Sequence, residues 1–106
     1  MRVAKVYMNS IAAGFITELN DGSFTFRYLE TYLLDPSNSA ISLTLPKTEK
    51  EYESKTLFSF FSNMLSEGVN RRVQAQMFKI DEEDDFGLLL TTAQHDVIGA
   101  ITIEKA

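Results

Sequence analysis

The hydrophobic pattern of the chain changes period near its middle. In the first half apolar and polar residues alternate, most clearly at Phe24, Phe26 and Tyr28, which is typical of half-buried strands. From position 57 onward the apolar residues recur at helical spacing. A chain of 106 residues has the usual size of one domain, and no repeat or linker divides it. The sequence therefore predicts a single α+β domain over 1–106, with an antiparallel sheet meander packed with three to four short helices.

Five segments are expected to form the sheet. Asp21-Gly22 predicts a tight hairpin turn, because glycine readily adopts the positive φ that such turns need. The charged segment 47–54 has no apolar anchor and is expected to be an exposed loop. A closing segment rich in β-branched residues follows the helices. The predicted strands are 3–8, 11–19 (with Ala13, Phe15, Thr17 and Leu19 on one face), 24–28, 41–45 and 97–103.

Three helices are predicted in the second half, after a short helical turn at 29–34. The first has a broad apolar face from Leu57 to Leu65, with Ser54 as its N-cap. The second covers 69–80, and a break at 66–68 separates it from the first. The third begins near Phe86 and ends at Ala93. The second helix is expected to turn its charged side to water, with Val69, Val73, Gln76, Met77 and Ile80 opposite Arg71, Arg72 and Lys79.

Composition excludes several classes of function. The chain has no cysteine, which rules out disulfides, thiolate metal sites and cysteine nucleophiles and fits a cytoplasmic location. Its net charge of −5 opposes a phosphate backbone, so direct nucleic-acid binding is not expected. No apolar run approaches the roughly 18 residues of a membrane span. A protein partner with a basic docking face is the more natural expectation.

The motifs that suggest chemistry have structural interpretations. Asp85-Phe86-Gly87 copies the metal-binding triplet of protein kinases without the other kinase motifs, so we expect a first helical turn with Phe86 in the core. The acidic run 81–85 lacks the Gly and Glu of a calcium loop and suits a helix N-terminus, although contact with a basic partner stays open. His95 lacks a catalytic partner nearby and is expected at a helix end. No catalytic, cofactor or metal site is predicted.

The break between the first two helices, Ser66-Glu67-Gly68-Val69, has two interpretations. It is either a plain helix–helix connection with Gly68 as a helix stop, or a projecting corner that presents Glu67 and Val69 to a partner.

The order of the elements and their residues resembles the N-terminal subdomain of HipA-type kinase toxins over nearly the whole chain. Six segments match in order: Val-Tyr-Met-Asn and the residues after it at 6–14, Phe-Arg-Tyr at 26–28 with Tyr-Leu at 32–33, Ser-Leu-Thr-Leu-Pro at 42–46, the corner at 60–68, Asp-Asp-Phe-Gly-Leu-Leu at 84–89 and Gly-Ala-Ile at 99–101. In the family a larger kinase body follows this subdomain. The end of this chain at Ala106 therefore makes it look like the free-standing HipS-like subunit of a split HipBST toxin–antitoxin system.

The resemblance implies a non-catalytic antitoxin or antitoxin-assisting subunit. Its expected partners are a HipT-like serine/threonine kinase toxin and a HipB-like DNA-binding protein, reached directly or through the kinase. Relatives often have a large aromatic residue where this chain has Val69, so direct plugging of the kinase cleft is not expected. Neutralisation would rest instead on docking area, on stabilising an inactive kinase or on help from the DNA-binding partner. The expected partner-binding residues are Met64, Ser66, Glu67, Gly68, Val69, Asn70 and Arg72.

Two alternatives remain open. The chain is either an N-terminal accessory domain or subunit that a HipA-like kinase needs for activity or substrate recognition, or a structural protein that merely shares the fold.

Overall fold

A five-stranded antiparallel sheet forms the framework of the domain. The structure is a computed structural model that describes residues 1–65, 68–92 and 101–106. The strand order is β4-β3-β2-β1-β5, so four consecutive strands form a meander and the last strand adds beside the first. The prediction of an α+β fold with a meander and short helices is confirmed. The elements are β1 (Arg2–Met8), β2 (Ile11–Glu18), β3 (Phe24–Tyr28), α1 (Glu30–Leu34), β4 (Glu51–Ser54), α2 (Ser59–Ser62), α3 (Gly68–Phe78), α4 (Asp85–Thr92) and β5 (Ile101–Lys105).

A β-bulge in β2 changes which side chains face the core. Val6 pairs with Gly14 and Tyr7 pairs with Ala12, which leaves Ala13 as the extra residue. A bulge places two residues opposite one and so breaks the strict alternation of faces. Ala13 and Ile16 are both fully buried. The prediction that Phe15, Thr17 and Leu19 share the face of Ala13 is therefore wrong, because the buried face beyond the bulge carries Gly14 and Ile16.

The core lies between one face of the sheet and the helices. Phe26 on β3 is central, with ring-centroid distances of 4.9 Å to Tyr28 and 5.8 Å to Phe61 of α2. Phe24 meets Phe86 of α4 edge-on at 5.6 Å. The alternation of aromatic residues on β3 was correctly predicted, as was Phe86 in the core. The largest fully buried side chains are Tyr28, Tyr32, Phe26, Phe61, Phe86, Ile16, Leu88, Leu89, Ile103 and Val6.

The connection after α1 contains no strand at 41–45, contrary to the prediction. Only an isolated bridge joins Ser42 to Leu45, and Leu43 is 99% exposed. The buried hydroxyl of Tyr28 takes the place of a strand partner: it donates to the carbonyl of Leu45 and accepts the amide of Ile41 at 3.2 Å. A side chain thus satisfies backbone groups that the prediction assigned to a ladder.

The segment predicted as an exposed loop at 47–54 contains the edge strand β4. Its pairing with β3 places Tyr52 opposite Phe26, and the Tyr52 hydroxyl donates to the carbonyl of Pro46 at 2.6 Å. One half-buried tyrosine supplies the apolar anchor that the charged sequence concealed. Ser54 ends this strand, so its prediction as a helix N-cap is wrong.

The predicted helices differ in how well they match. The first is shorter than expected, because α2 covers only Ser59–Ser62 and begins after Phe58 without a side-chain cap. The second and third exist as α3 and α4. Of the predicted closing strand, β5 is confirmed from Ile101 onward. Residues 97–100, His95 and Ala93 lie outside the described residues.

Candidate partner-binding surface on helix α3

Helix α3 begins at Gly68, whose φ of +60° lies in the left-handed region. Glycine adopts this conformation without the steric cost that a Cβ imposes. Because α2 ends at Ser62, Gly68 opens the next helix and does not stop the previous one, so the helix-stop interpretation is wrong. Ser66 and Glu67 lie outside the described residues, and their role at the predicted corner stays a prediction.

The apolar side chains along α3 face solvent. Val69 is 70% exposed, Val73 46% and Met77 69%, and their spacing of four residues places them on one side of the helix. We call these three residues the α3 stripe. Ala75 is the only residue of α3 that is buried. The helix was correctly predicted, but the prediction that its apolar face is buried is wrong.

Arg71 explains this orientation. Its guanidinium Nε and Nη2 donate to the carbonyl of Glu82 at 2.9 and 2.7 Å, and Nη2 also donates to the Asp85 carboxylate. The Arg71 side chain is only 20% exposed. Its expected place on the wet side of the helix is therefore wrong. These charge-assisted hydrogen bonds to the start of α4 and the segment before it turn this side of α3 inward and leave the stripe outward.

The structure brings four of the predicted partner-binding residues together within the first five residues of α3. Gly68, Val69 and Asn70 are exposed, and Arg72 is 65% exposed, with Nε 3.9 Å from the carboxylate of Glu82. Met64 instead packs half-buried against the core cluster. Val73 and Met77 were missed as surface residues, because their spacing indicates a helix without indicating which side faces the core.

The acidic run before α4 is held by arginines. Arg2 donates to both carboxylate oxygens of Asp84, and this hydrogen bonding lowers the pKa of Asp84 below its usual range. Asp84 Oδ1 also accepts the amide of Gly87 at 3.1 Å, as a residue capping the first turn does. The prediction that these acids serve a helix start is confirmed for Asp84 and Asp85.

Chemistry on a bound metal finds no support in the described ranges: nowhere in them do three His, Cys, Asp or Glu side chains form a group suited to a metal ion. Within the same ranges, no helix is long and apolar enough to cross a bilayer. What the surface of α3 offers is apolar contact area with a polar rim, which suits a protein partner.

Comparison with known proteins identifies the family. The model of the HipA N-terminal domain matches residues 4–104. Y4mE of Sinorhizobium fredii, which is named as a kinase, is 30% identical over 103 residues, which are 97% of this chain and 24% of Y4mE. The chain thus spans about a quarter of the length of that relative.

Two further relatives have nearly the same extent as this chain. A Haemophilus influenzae protein described as uncharacterized is 30% identical over 105 residues, which are 99% of this chain and 93% of that protein. A solved N-terminal domain of HipA toxin superposes with a TM-score of 0.73 at 26% identity, covering 100% of this chain and 93% of the other. The similarity is to this N-terminal domain and not to the kinase catalytic domain. The chain belongs to the HipA N-terminal domain family.

Proposed function

We propose that this chain is a non-catalytic antitoxin or antitoxin-assisting subunit that binds a HipT-like serine/threonine kinase toxin in the cytoplasm and helps to neutralise it. A HipB-like DNA-binding protein completes the three-component complex, directly or through the kinase. The observation that carries the proposal is the exposed α3 stripe in a member of the HipA N-terminal domain family. The match to the Haemophilus influenzae protein supports the proposal. It covers 93% of that protein, so a relative that consists almost entirely of this domain exists.

The α3 stripe has the composition of a docking surface. Its three apolar side chains lie in a line on one helix side, and the exposed polar residues Asn70 and Arg72 flank them. Apolar anchors inside a polar rim are typical of protein interfaces. Methionine adds adaptability, because its unbranched thioether side chain fits irregular partner surfaces. Covering the stripe removes apolar area from water without rearranging the core.

Docking is the mechanism that the side chains favour. Val69, at the corner, is too small to fill a cleft that a large aromatic side chain would fill. Neutralisation therefore rests on the area that α3 covers, with the kinase held in an inactive form or with the DNA-binding partner contributing. Ser66 and Glu67 remain proposed contacts of the same surface.

A second candidate function is an accessory role in a HipA-like kinase. The match to Y4mE favours it, because the similar region makes up only 24% of a protein named as a kinase. In that case the domain promotes phosphorylation or substrate recognition instead of suppressing them.

Titration of a purified HipT-like kinase with this chain separates the two functions. The rate of phosphate transfer is measured as the chain is added, and binding is measured in parallel by co-purification. A fall in rate supports the antitoxin and a rise supports the accessory domain. Binding without a change in rate supports an assisting subunit, and the addition of the HipB-like protein should then lower the rate. Absence of binding contradicts both functions.

A further inference from the structure

The sheet face opposite the core lies open in the described part of the chain. Its middle is crossed by a row of directly paired residues, one from each strand: Glu104, Lys5, Phe15, Arg27 and Glu51. We call these five residues the outer row. Two cations flank one aromatic ring at the centre, and one acid ends the row at each sheet edge.

The centre of the outer row is available to a partner. Lys5 places its ammonium 5.4 Å from the ring centroid of Tyr7 and 6.0 Å from that of Phe15. Arg27 is exposed and lies with Phe15 and Lys50 on the lining of a shallow groove. Among the described residues, no carboxylate forms an ion pair with Lys5 or Arg27. Within those residues neither cation is held in an ion pair, although each has an acid of the outer row as its cross-strand neighbour.

We propose that the outer row binds an amphipathic helix of a partner protein that presents an acid, an apolar residue and a second acid along one side. The apolar residue packs on Phe15, and the two carboxylates meet Lys5 and Arg27. The proposal is independent of the kinase proposal, since α3 packs on α4 at the core side of the sheet.

The spacing of the cations selects a helix. Lys5 and Arg27 lie two strands apart, which is about 9.6 Å at the usual strand separation. Residues seven apart on a helix share one side and are separated by about 10.5 Å along its axis. An extended peptide presents same-side residues at about 6.7 or 13 Å, and neither value matches. If the two acids occupy positions i and i+7 of the helix, positions i+3 and i+4 lie between them on the same side, above Phe15.

The charge order argues against two other occupants. A second copy of the chain, related by a two-fold axis that passes over Phe15 along the strands or along the row, sets Lys5 against Arg27 or against itself, and acid against acid. Single-stranded nucleic acid also uses aromatic and cationic side chains on open sheets, but it carries a phosphate at every nucleotide, so the phosphates beyond the two cations would lie against Glu51 and Glu104. A helix with two acids, and with bases one turn farther out, complements the whole row.

Titration of the isotope-labelled chain with designed peptides tests the proposal. The probe is an alanine-rich helical peptide with Glu at positions i and i+7 and Leu at i+3 and i+4. Two control peptides have Gln in place of both Glu residues, or the second Glu moved to i+5, on another side of the helix, with both Leu residues kept. Amide chemical shifts locate the peptide, and their dependence on concentration gives the Kd. We expect shifts on β1–β3 and binding that is several-fold tighter than for either control peptide.

Variants of the chain complete the test. The double variant Lys5→Gln/Arg27→Gln should bind the probe about tenfold more weakly, since it loses both of the exposed ion pairs that the proposal assigns. The matched variant Lys79→Gln, at an exposed cation just after α3, should bind it as the wild type does. Equal binding of probe and Gln peptide, or undiminished binding by the double variant, overturns the proposal. Tighter binding of a single-stranded oligonucleotide at the same residues, or self-association in place of peptide binding, overturns it as well.

Discussion

The guanidinium of Arg2 clamps the carboxylate of Asp84 through two parallel hydrogen bonds of 2.9 and 2.8 Å. The same guanidinium donates to both oxygens of Glu18 at 2.7 and 2.9 Å and lies 5.3 Å from the ring centroid of Phe86. The second residue of the chain thus fixes the start of α4 against the sheet. A bidentate arginine–carboxylate pair also gives this contact directional specificity.

This clamp makes stability depend on pH. Hydrogen bonding from Arg2 lowers the pKa of Asp84 in the folded state, so folding favours the ionised form. The contribution is complete above the unfolded pKa of about 3.9 and is lost as the pH falls through the lower folded value. Asp84→Asn, which keeps a capping side chain, should lose about 1 kcal/mol at pH 7, a value limited by partial exposure.

Urea denaturation at pH 7 and pH 3 measures this effect. The loss of stability on acidification should be smaller in Asp84→Asn than in the wild type, and Glu53→Gln, on the exposed edge strand, should follow the wild type. Identical pH dependence in all three proteins would refute the role of the clamp.

The hydroxyl of Tyr28 should contribute measurably to the free energy of unfolding. Tyr28→Phe leaves the amide of Ile41 and the carbonyl of Leu45 without the buried partner that they have now. An unsatisfied buried polar group costs about 1–3 kcal/mol, and we expect a loss in that range in urea denaturation. Tyr52→Phe, which removes a half-buried bond to Pro46, serves as the control and should cost less. A Tyr28→Phe variant as stable as the wild type would contradict this account of the loop.

Gly14 should tolerate no side chain. A Cβ at this position would lie 2.3 Å from the carbonyl oxygen of Arg27 and 3.0 Å from Phe26 Cζ, so the strands would have to separate. Overpacking of this kind typically costs about 1–3 kcal/mol, and thermal unfolding of Gly14→Ala should show it. At Gly22 the surroundings are open but φ is +87°, so Gly22→Ala carries only the left-handed cost of about 1–2 kcal/mol. A harmless Gly14→Ala would show that the strand approach is looser than described.

Arg71 should set the position of α3. Arg71→Gln removes the charged donors to the Glu82 carbonyl and the Asp85 carboxylate. Hydrogen bonds that involve a charged group contribute about 1.5–3 kcal/mol, so amide hydrogen exchange in α3 should accelerate several-fold. Arg72→Gln, whose partner is 3.9 Å away, should leave the exchange unchanged. Equal exchange in both variants would mean that other contacts orient the helix.

The sheet was predictable wherever one sequence pattern determined one structure. The alternation of Phe24, Phe26 and Tyr28 with polar residues fits only a strand with one buried face, and Asp21-Gly22 fixes the turn before it. The bulge at Ala13 was not predictable. Apolar residues occur on both faces of β2, so the sequence shows no break in alternation where the extra residue is inserted. The strand β4 was missed because a single tyrosine, Tyr52, anchors it.

The start of α3 was predictable from the sequence, but the orientation of the helix was not. Gly68 and Val69 mark the start of α3, and both are exposed. The direction of the helix depends on Arg71, whose partners lie 11 and 14 residues farther along the chain. A charged residue that turns inward to a distant carbonyl reverses the expectation from amphipathicity, and no local pattern shows it.

The affinity of a HipT-like kinase for this chain and its variants tests the central claim most directly. Val73→Ser/Met77→Ser changes two exposed side chains, so the free energy of unfolding should stay within about 0.5 kcal/mol of the wild type. Leu43→Ser, at an exposed apolar residue far from α3 in sequence, is the matched control. The account predicts that the stripe variant binds at least about tenfold more weakly, since truncation of a buried interface anchor costs more than 1 kcal/mol, while the control binds as the wild type does. A stripe variant that is folded and binds with wild-type affinity would contradict it.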